Sequence, residues 1–96
     1  MKPSEALNIH RCEIRQIVTR NHGENVRVFG SVLHGNDTDH SDLDLLIDPT
    51  QKMTLMDIGA IRYELLHLLG VDVDVMTPKA LPYQFRAEVL SEAQRV

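Results

Sequence analysis

The 96-residue chain has no tryptophan, and aromatic residues make up only 4% of it. Its core must therefore be aliphatic, built from Leu, Ile, Val and Met. Cysteine is almost as scarce. A single Cys12 excludes an internal disulfide and any multi-cysteine zinc site, and suits a reducing compartment. No apolar run approaches the eighteen or so residues of a membrane span, and the first residues, MKPSEALNIHRCEIRQ, lack a signal-like apolar stretch. Cations are outnumbered too. Ten Lys and Arg against fourteen Asp and Glu leave a net charge of -4, which argues against a protein that wraps nucleic acid or coats an acidic membrane. What remains is an ordinary globular balance, 43% hydrophobic and 25% charged. The expectation is one cytoplasmic domain spanning residues 1–96.

Periodicity divides the chain into alternating elements. Pro3, Ser4 and Glu5 resemble a helix start with Ser4 as cap, and Leu7, Ile14, Ile17 and Val18 follow at helical spacing up to a stop at Gly23. Val26 to Phe29 reads as a first strand, Ser31 to His34 as a short helix, and Gly35 to Ser41 as a polar loop. Asp42 to Asp48, DLDLLID, reads as a second strand ended by Pro49. Leu55 to Leu69 is the clearest helix, Val71 to Thr77 alternates as a third strand, and a last helix follows Lys79 with Leu81, Phe85, Val89 and Leu90 available to pack. The order α-β-α-β-α-β-α implies an α/β or α+β domain: a small sheet of three or four strands flanked by helices. Tyr63, Tyr83, Met53, Met56 and Met76 read mainly as packing residues.

Chemistry concentrates on two strands. Alternation places Asp42 and Asp44 on one face, opposite Leu43, Leu45 and Ile47, and likewise places Asp72 and Asp74 together. If those strands are neighbours, several carboxylates share one surface. Their mutual repulsion is then relieved only by a cation, and all-oxygen ligands suit Mg²⁺ or Mn²⁺. Gly30-Ser31, at the end of the first strand, offers the complementary half: a turn into a helix whose N–H groups and hydroxyl can cradle phosphate. Such a combination describes metal-assisted chemistry on a nucleoside triphosphate. His40, two residues before Asp42, is a further metal candidate that reads better as a solvated loop residue. Arg62 reads as a surface residue within reach of a phosphate, and Cys12 as unreactive.

GSVLHG followed by SDLDLLID resembles the signature of the DNA polymerase β-like nucleotidyltransferases, and VDVMTPKAL resembles a segment of their minimal, MNT-domain members. The likeness runs from Val26 to about Leu90 and selects Asp74 over Asp72 as the third acid. By resemblance, the fold is that of a polymerase β-like nucleotidyltransferase. Asp42, Asp44 and Asp74 are then the catalytic, metal-binding set for two Mg²⁺ ions (Mn²⁺ as a substitute), with Gly30 and Ser31 on the triphosphate of ATP. The implied reaction moves AMP to an acceptor hydroxyl and releases pyrophosphate. The implied partner is a HEPN-domain ribonuclease toxin modified on a tyrosine, with this chain as its antitoxin. Sequestration of the toxin without catalysis, or transfer to a small molecule such as an antibiotic, are the alternatives. One departure stands out: Leu33-His34 occupies positions where many minimal members carry Ala-Arg, so a titratable group replaces a permanent cation.

Overall fold

In a computed structural model describing residues 1–96, ten elements build one four-stranded mixed sheet. In chain order they are α1 (Pro3–Ile9), α2 (Arg11–Arg20), β1 (Gly23–Phe29), α3 (Gly30–His34), β2 (Leu43–Pro49), α4 (Leu55–Leu69), β3 (Val73–Met76), a 3₁₀ turn (Pro78–Ala80), α5 (Tyr83–Glu92) and β4 (Gln94–Arg95). The strands lie in the order β3-β2-β1-β4. β2 is central, antiparallel to β1 and parallel to β3, which is the pairing that a helical crossover through α4 permits.

Period-two alternation sorts the sheet into two faces. Val26, Val28, Leu43, Leu45, Ile47 and Val73 pack against Ile14, Ile17 and Val18 of α2 and Ile61, Leu65 and Leu69 of α4 in a single aliphatic core. The opposite face carries Phe29, Asp44, Asp48 and Asp74, but Leu46 on that face is also fully buried. β2 is thus a strand covered on both sides over its middle, with an acidic end.

Local signals explain most boundaries. Thr54 caps α4, its hydroxyl accepting from the Asp57 N–H while Asp57 accepts from the Thr54 N–H, a reciprocal capping box. Gly70 ends the helix in the left-handed conformation. Other expectations are corrected. The N-terminal helix is two helices broken at His10, and Lys2, not Ser4, precedes the first. Gly23 does not stop a helix. It opens β1, where an added Cβ would lie 2.7 Å from Ile47 Cγ2, so the close crossing of β1 over the core explains the glycine. β3 is shorter than the alternation implied, and Asp42 and Asp72 stand just outside their strands. The C-terminal segment is a 3₁₀ turn followed by α5 and the small β4, which pairs with β1. Leu81 is buried, yet Phe85, Leu90, Tyr63, Tyr83 and Met56 are exposed and not packed as expected. Too little of the domain lies over those helix faces to cover them.

The polar loop between α3 and β2 is anchored by Asp37, whose buried side chain accepts a 2.9 Å hydrogen bond from the Ser4 N–H at the start of α1. That backbone donor, together with the Ser4 hydroxyl and Lys2, outweighs burial and holds the Asp37 carboxyl below its ordinary 3.8. Because the folded value is the lower one, the stabilisation is present above pH 3.8 and lost as pH falls through the depressed value. Asp37→Ala is expected to cost about 1 kcal/mol at neutral pH. Urea denaturation should show that difference shrinking toward pH 3 or below; a difference that stays constant there removes the carboxylate from the account.

Candidate active site

The site begins at the β1–α3 junction. Gly30 has φ +73°, a backbone conformation that side chains disfavour. The stronger constraint is spatial: a Cβ on Gly30 would lie 2.2 Å from Asp44 Oδ2 and 3.1 Å from its Cγ. Glycine is required so that the turn can sit directly against the acid. Antiparallel register explains the approach, since Phe29 is the partner of Asp44 and Gly30 follows it. α3 begins with no side chain capping its first turn, so the leading N–H groups remain available to an anionic ligand beside the half-buried Ser31. At the other end, Gly35 adopts the left-handed conformation and the Asn36 N–H donates to Ser31 O at 2.9 Å, closing the helix after five residues.

The acids come from two parallel neighbours. Asp44 of β2 and Asp74 of β3 are register partners and therefore share a face; Asp42 lies exposed two residues before Asp44. The Leu43 N–H donates to Asp72 O at 2.9 Å, which starts this pairing. Asp72 stands just before β3 at the sheet edge, outside the Asp44–Asp74 pairing. Desolvation first, then the charges of Asp74 and Asp42 and a hydrogen bond with Asp74, together push the Asp44 carboxyl up to about 6. The half-buried Asp44 thus carries the cost of the cluster. No three His, Cys, Asp or Glu side chains are already drawn into an ion cage. The acids are near enough to couple electrostatically while Asp42 and Asp74 remain open to water.

That donor set fits a hard divalent cation. It is all oxygen, it carries excess negative charge on one half-buried member, and it adjoins uncapped N–H groups suited to phosphate. His40 does not join it; the loop around it is held by the Thr38 and Ser41 hydroxyls, and His40 is exposed. Arg62 is exposed on α4, and Cys12 is exposed on α2.

Sequence reading missed the partner of His34. Its Nε2 lies 3.2 Å from Glu92 Oε2 at the end of α5, so the imidazole in the last turn of α3 faces a carboxylate fifty-eight positions away in the chain. No local pattern signals such a contact. It also missed Phe29 as the register partner of Asp44 on β1.

The arrangement has counterparts. The pattern that defines the Nucleotidyltransferase domain family matches residues 11–96. A presumed protein adenylyltransferase of Methanocaldococcus jannaschii, MJ0435, is 28% identical over 87 residues, covering 91% of this chain and 94% of its own. A solved structure of a presumed minimal nucleotidyltransferase is 36% identical and superposes with a TM-score of 0.86 over 97% of this chain and 95% of that one. A toxin–antitoxin structure with AMP-PNP shares the fold at 15% identity, with a TM-score of 0.71 over 97% of this chain and 71% of that one. No helix here is long and apolar enough to cross a membrane. With its glycine turn pressed against the first of two register-paired acids, and with these relatives, the chain belongs to the Nucleotidyltransferase domain family, as an enzyme of its minimal type.

Proposed function

We propose that this protein is an antitoxin that transfers AMP from ATP to a tyrosine hydroxyl of a partner HEPN-domain ribonuclease toxin. The observation that carries the reading is the junction of Gly30 with Asp44, itself in register with Asp74: a phosphate-binding turn and an acid pair built into adjoining backbone. Protein adenylylation is supported by the name of the M. jannaschii relative. The toxin partner is supported by two structural neighbours, the toxin–antitoxin structure with AMP-PNP and a variant of the MntA-HpeT toxin–antitoxin pair.

In this reading Asp42, Asp44 and Asp74 would hold two Mg²⁺ ions, which would supply positive charge to the triphosphate and to the attacking and leaving oxygens. The chain's own groups do the rest. Gly30 lets the backbone approach the phosphates, and the Ser31 hydroxyl and first-turn N–H groups of α3 donate to them. Asp74, open to water on β3, accepts the proton of the acceptor hydroxyl in this reading. The hydroxyl oxygen bonds to the α-phosphorus as the bond to the bridging oxygen breaks, and pyrophosphate leaves. His34, held by Glu92, sits at the far end of the phosphate helix and supplies positive charge only when protonated.

The test is to incubate the protein with ATP, Mg²⁺ and the product of its neighbouring gene, and to weigh both chains. An AMP-sized gain on the partner, mapped to a tyrosine and absent with Asp44→Asn, is the expected result. Neutralisation of the partner's ribonuclease activity that persists without ATP and in that variant overturns catalysis in favour of sequestration.

A further inference from the structure

α4 is apolar on two sides. Its inner stripe, Ile61, Leu65 and Leu69, is buried in the core. A second stripe faces outward: Leu55 is 86% exposed, Met56 85%, Tyr63 64% and Leu66 40%. At 3.6 residues per turn, these positions with Gly59 and Arg62 form one continuous band along the helix. The band exposes on the order of 600 Å² of mostly apolar surface, the upper end of what monomers leave uncovered.

Two features indicate what covers it. Gly59 lies inside the helix, where glycine costs about 1 kcal/mol relative to alanine. Nothing within the chain requires it, because an added Cβ would meet no atom within 4 Å. A bare backbone at the centre of an apolar band permits another helix to approach closely. Beside it lies a cavity of about 290 Å³ lined by Gly59, Arg62, Tyr63, Leu66, Asp72 and Val73. It holds one exposed cation and one exposed anion, Arg62 and Asp72, and neither forms an ion pair within the chain.

A patch carrying both signs of charge beside an apolar band is complementary to itself under a two-fold rotation. We infer that α4 and the start of β3 form the interface of a homodimer, with antiparallel α4 helices crossing at Gly59. Arg62 of each copy then meets Asp72 of the other. Two such faces bury roughly 1,200 Å² together, the lower edge of a specific interface, so a dimer of moderate affinity is expected. The inference is independent of the acceptor proposed above.

Sedimentation equilibrium over a series reaching high micromolar concentration tests it. Wild type should be dimeric at the upper end. Arg62→Asp and Asp72→Arg, each placing like charges across the two-fold axis, should weaken dimerisation at least about tenfold. The double reversal should restore it, because each copy again offers one charge of each sign. Gly59→Gln fills the crossing point without an internal clash and should yield a folded monomer by circular dichroism. A wild type monomeric throughout overturns the proposal. So do single reversals that leave the dimer intact, a double reversal that fails to restore it, or a Gly59→Gln protein that still dimerises.

Discussion

Asp44→Asn is expected to abolish nucleotidyl transfer while raising the melting temperature of the metal-free protein by about 5 °C at neutral pH. The two effects have one origin. Folding places Asp44 half out of water beside Asp74 and Asp42, and its carboxyl is pushed from 3.8 to about 6. The folded chain therefore holds that proton more tightly than the unfolded chain does. The group's contribution to stability is complete below pH 3.8 and declines as pH rises through about 6. For a fully buried carboxylate a displacement of this size corresponds to about 3 kcal/mol. With half of Asp44 within reach of water and counterions, about 1 kcal/mol is the expected penalty above pH 6. Asparagine keeps the shape and removes the charge.

Calorimetry should accordingly show the variant and wild type converging below pH 4 and separating above pH 6, with the variant higher. Mg²⁺ should raise the wild-type transition above pH 6 and leave Asp44→Asn nearly unmoved, since a cation relieves only a repulsion that exists. Loss of transfer should amount to at least about a thousandfold, because an amide cannot replace a carboxylate in holding the cation that would neutralise charge on the transferring phosphoryl group. A variant less stable than wild type at pH 7 would show that Asp44 is held by favourable contacts, contrary to this account.

Gly30→Ala should be the second most damaging single change, for a different reason. The new methyl group has nowhere to go while the Asp44 carboxylate keeps its place, because Oδ2 would be 2.2 Å away. That oxygen is the end of a short side chain and can rotate, so the protein should fold, at a cost of about 2 kcal/mol that includes the left-handed backbone at φ +73°. Rotation removes the carboxylate from its alignment with Asp74, and activity should fall at least about a hundredfold. A double-mutant cycle on stability separates the two parts. In an Asp44→Ala background the clash with the carboxylate disappears, and the cost of Gly30→Ala should drop to about the 1 kcal/mol of the backbone strain alone. Equal costs in both backgrounds would mean that glycine is needed for its backbone freedom and not for the acid.

Much of this candidate site is legible in the sequence. The alternation of DLDLLID follows from the pleat of a strand, and it separates Asp44 from Leu43 and Leu45 in any fold that buries one face. Gly30-Ser31 at a strand-to-helix turn is equally local. The helix at Leu55 to Leu69 has its apolar stripe and its terminal glycine written within sixteen residues, Leu55 to Gly70, and the structure shows both. Where adjacent residues suffice to set the backbone, reading and structure agree.

Disagreement begins where the chain must meet itself at a distance. Periodicity cannot choose which acid of VDVD stands beside Asp44. The parallel register Asp44↔Asp74 does so, through the way β3 docks after the α4 crossover. Nor can it foresee that Glu92 returns to His34, or that an asparagine at φ +50° accompanies an irregularity in β1. Phe85, Leu90, Tyr63 and Met56 look like core residues from composition, yet the sheet is too small to place anything over them. The sequence by itself determined the three longer strands and α4, the polar face of each of those strands and the residue types that suit phosphate and cation, because backbone geometry imposes those patterns locally. Only the tertiary structure decided that Gly30 abuts Asp44, that Asp74 stands in register beside it, and which apolar surface remains uncovered, because strand register and the extent of the sheet are settled by packing between distant segments.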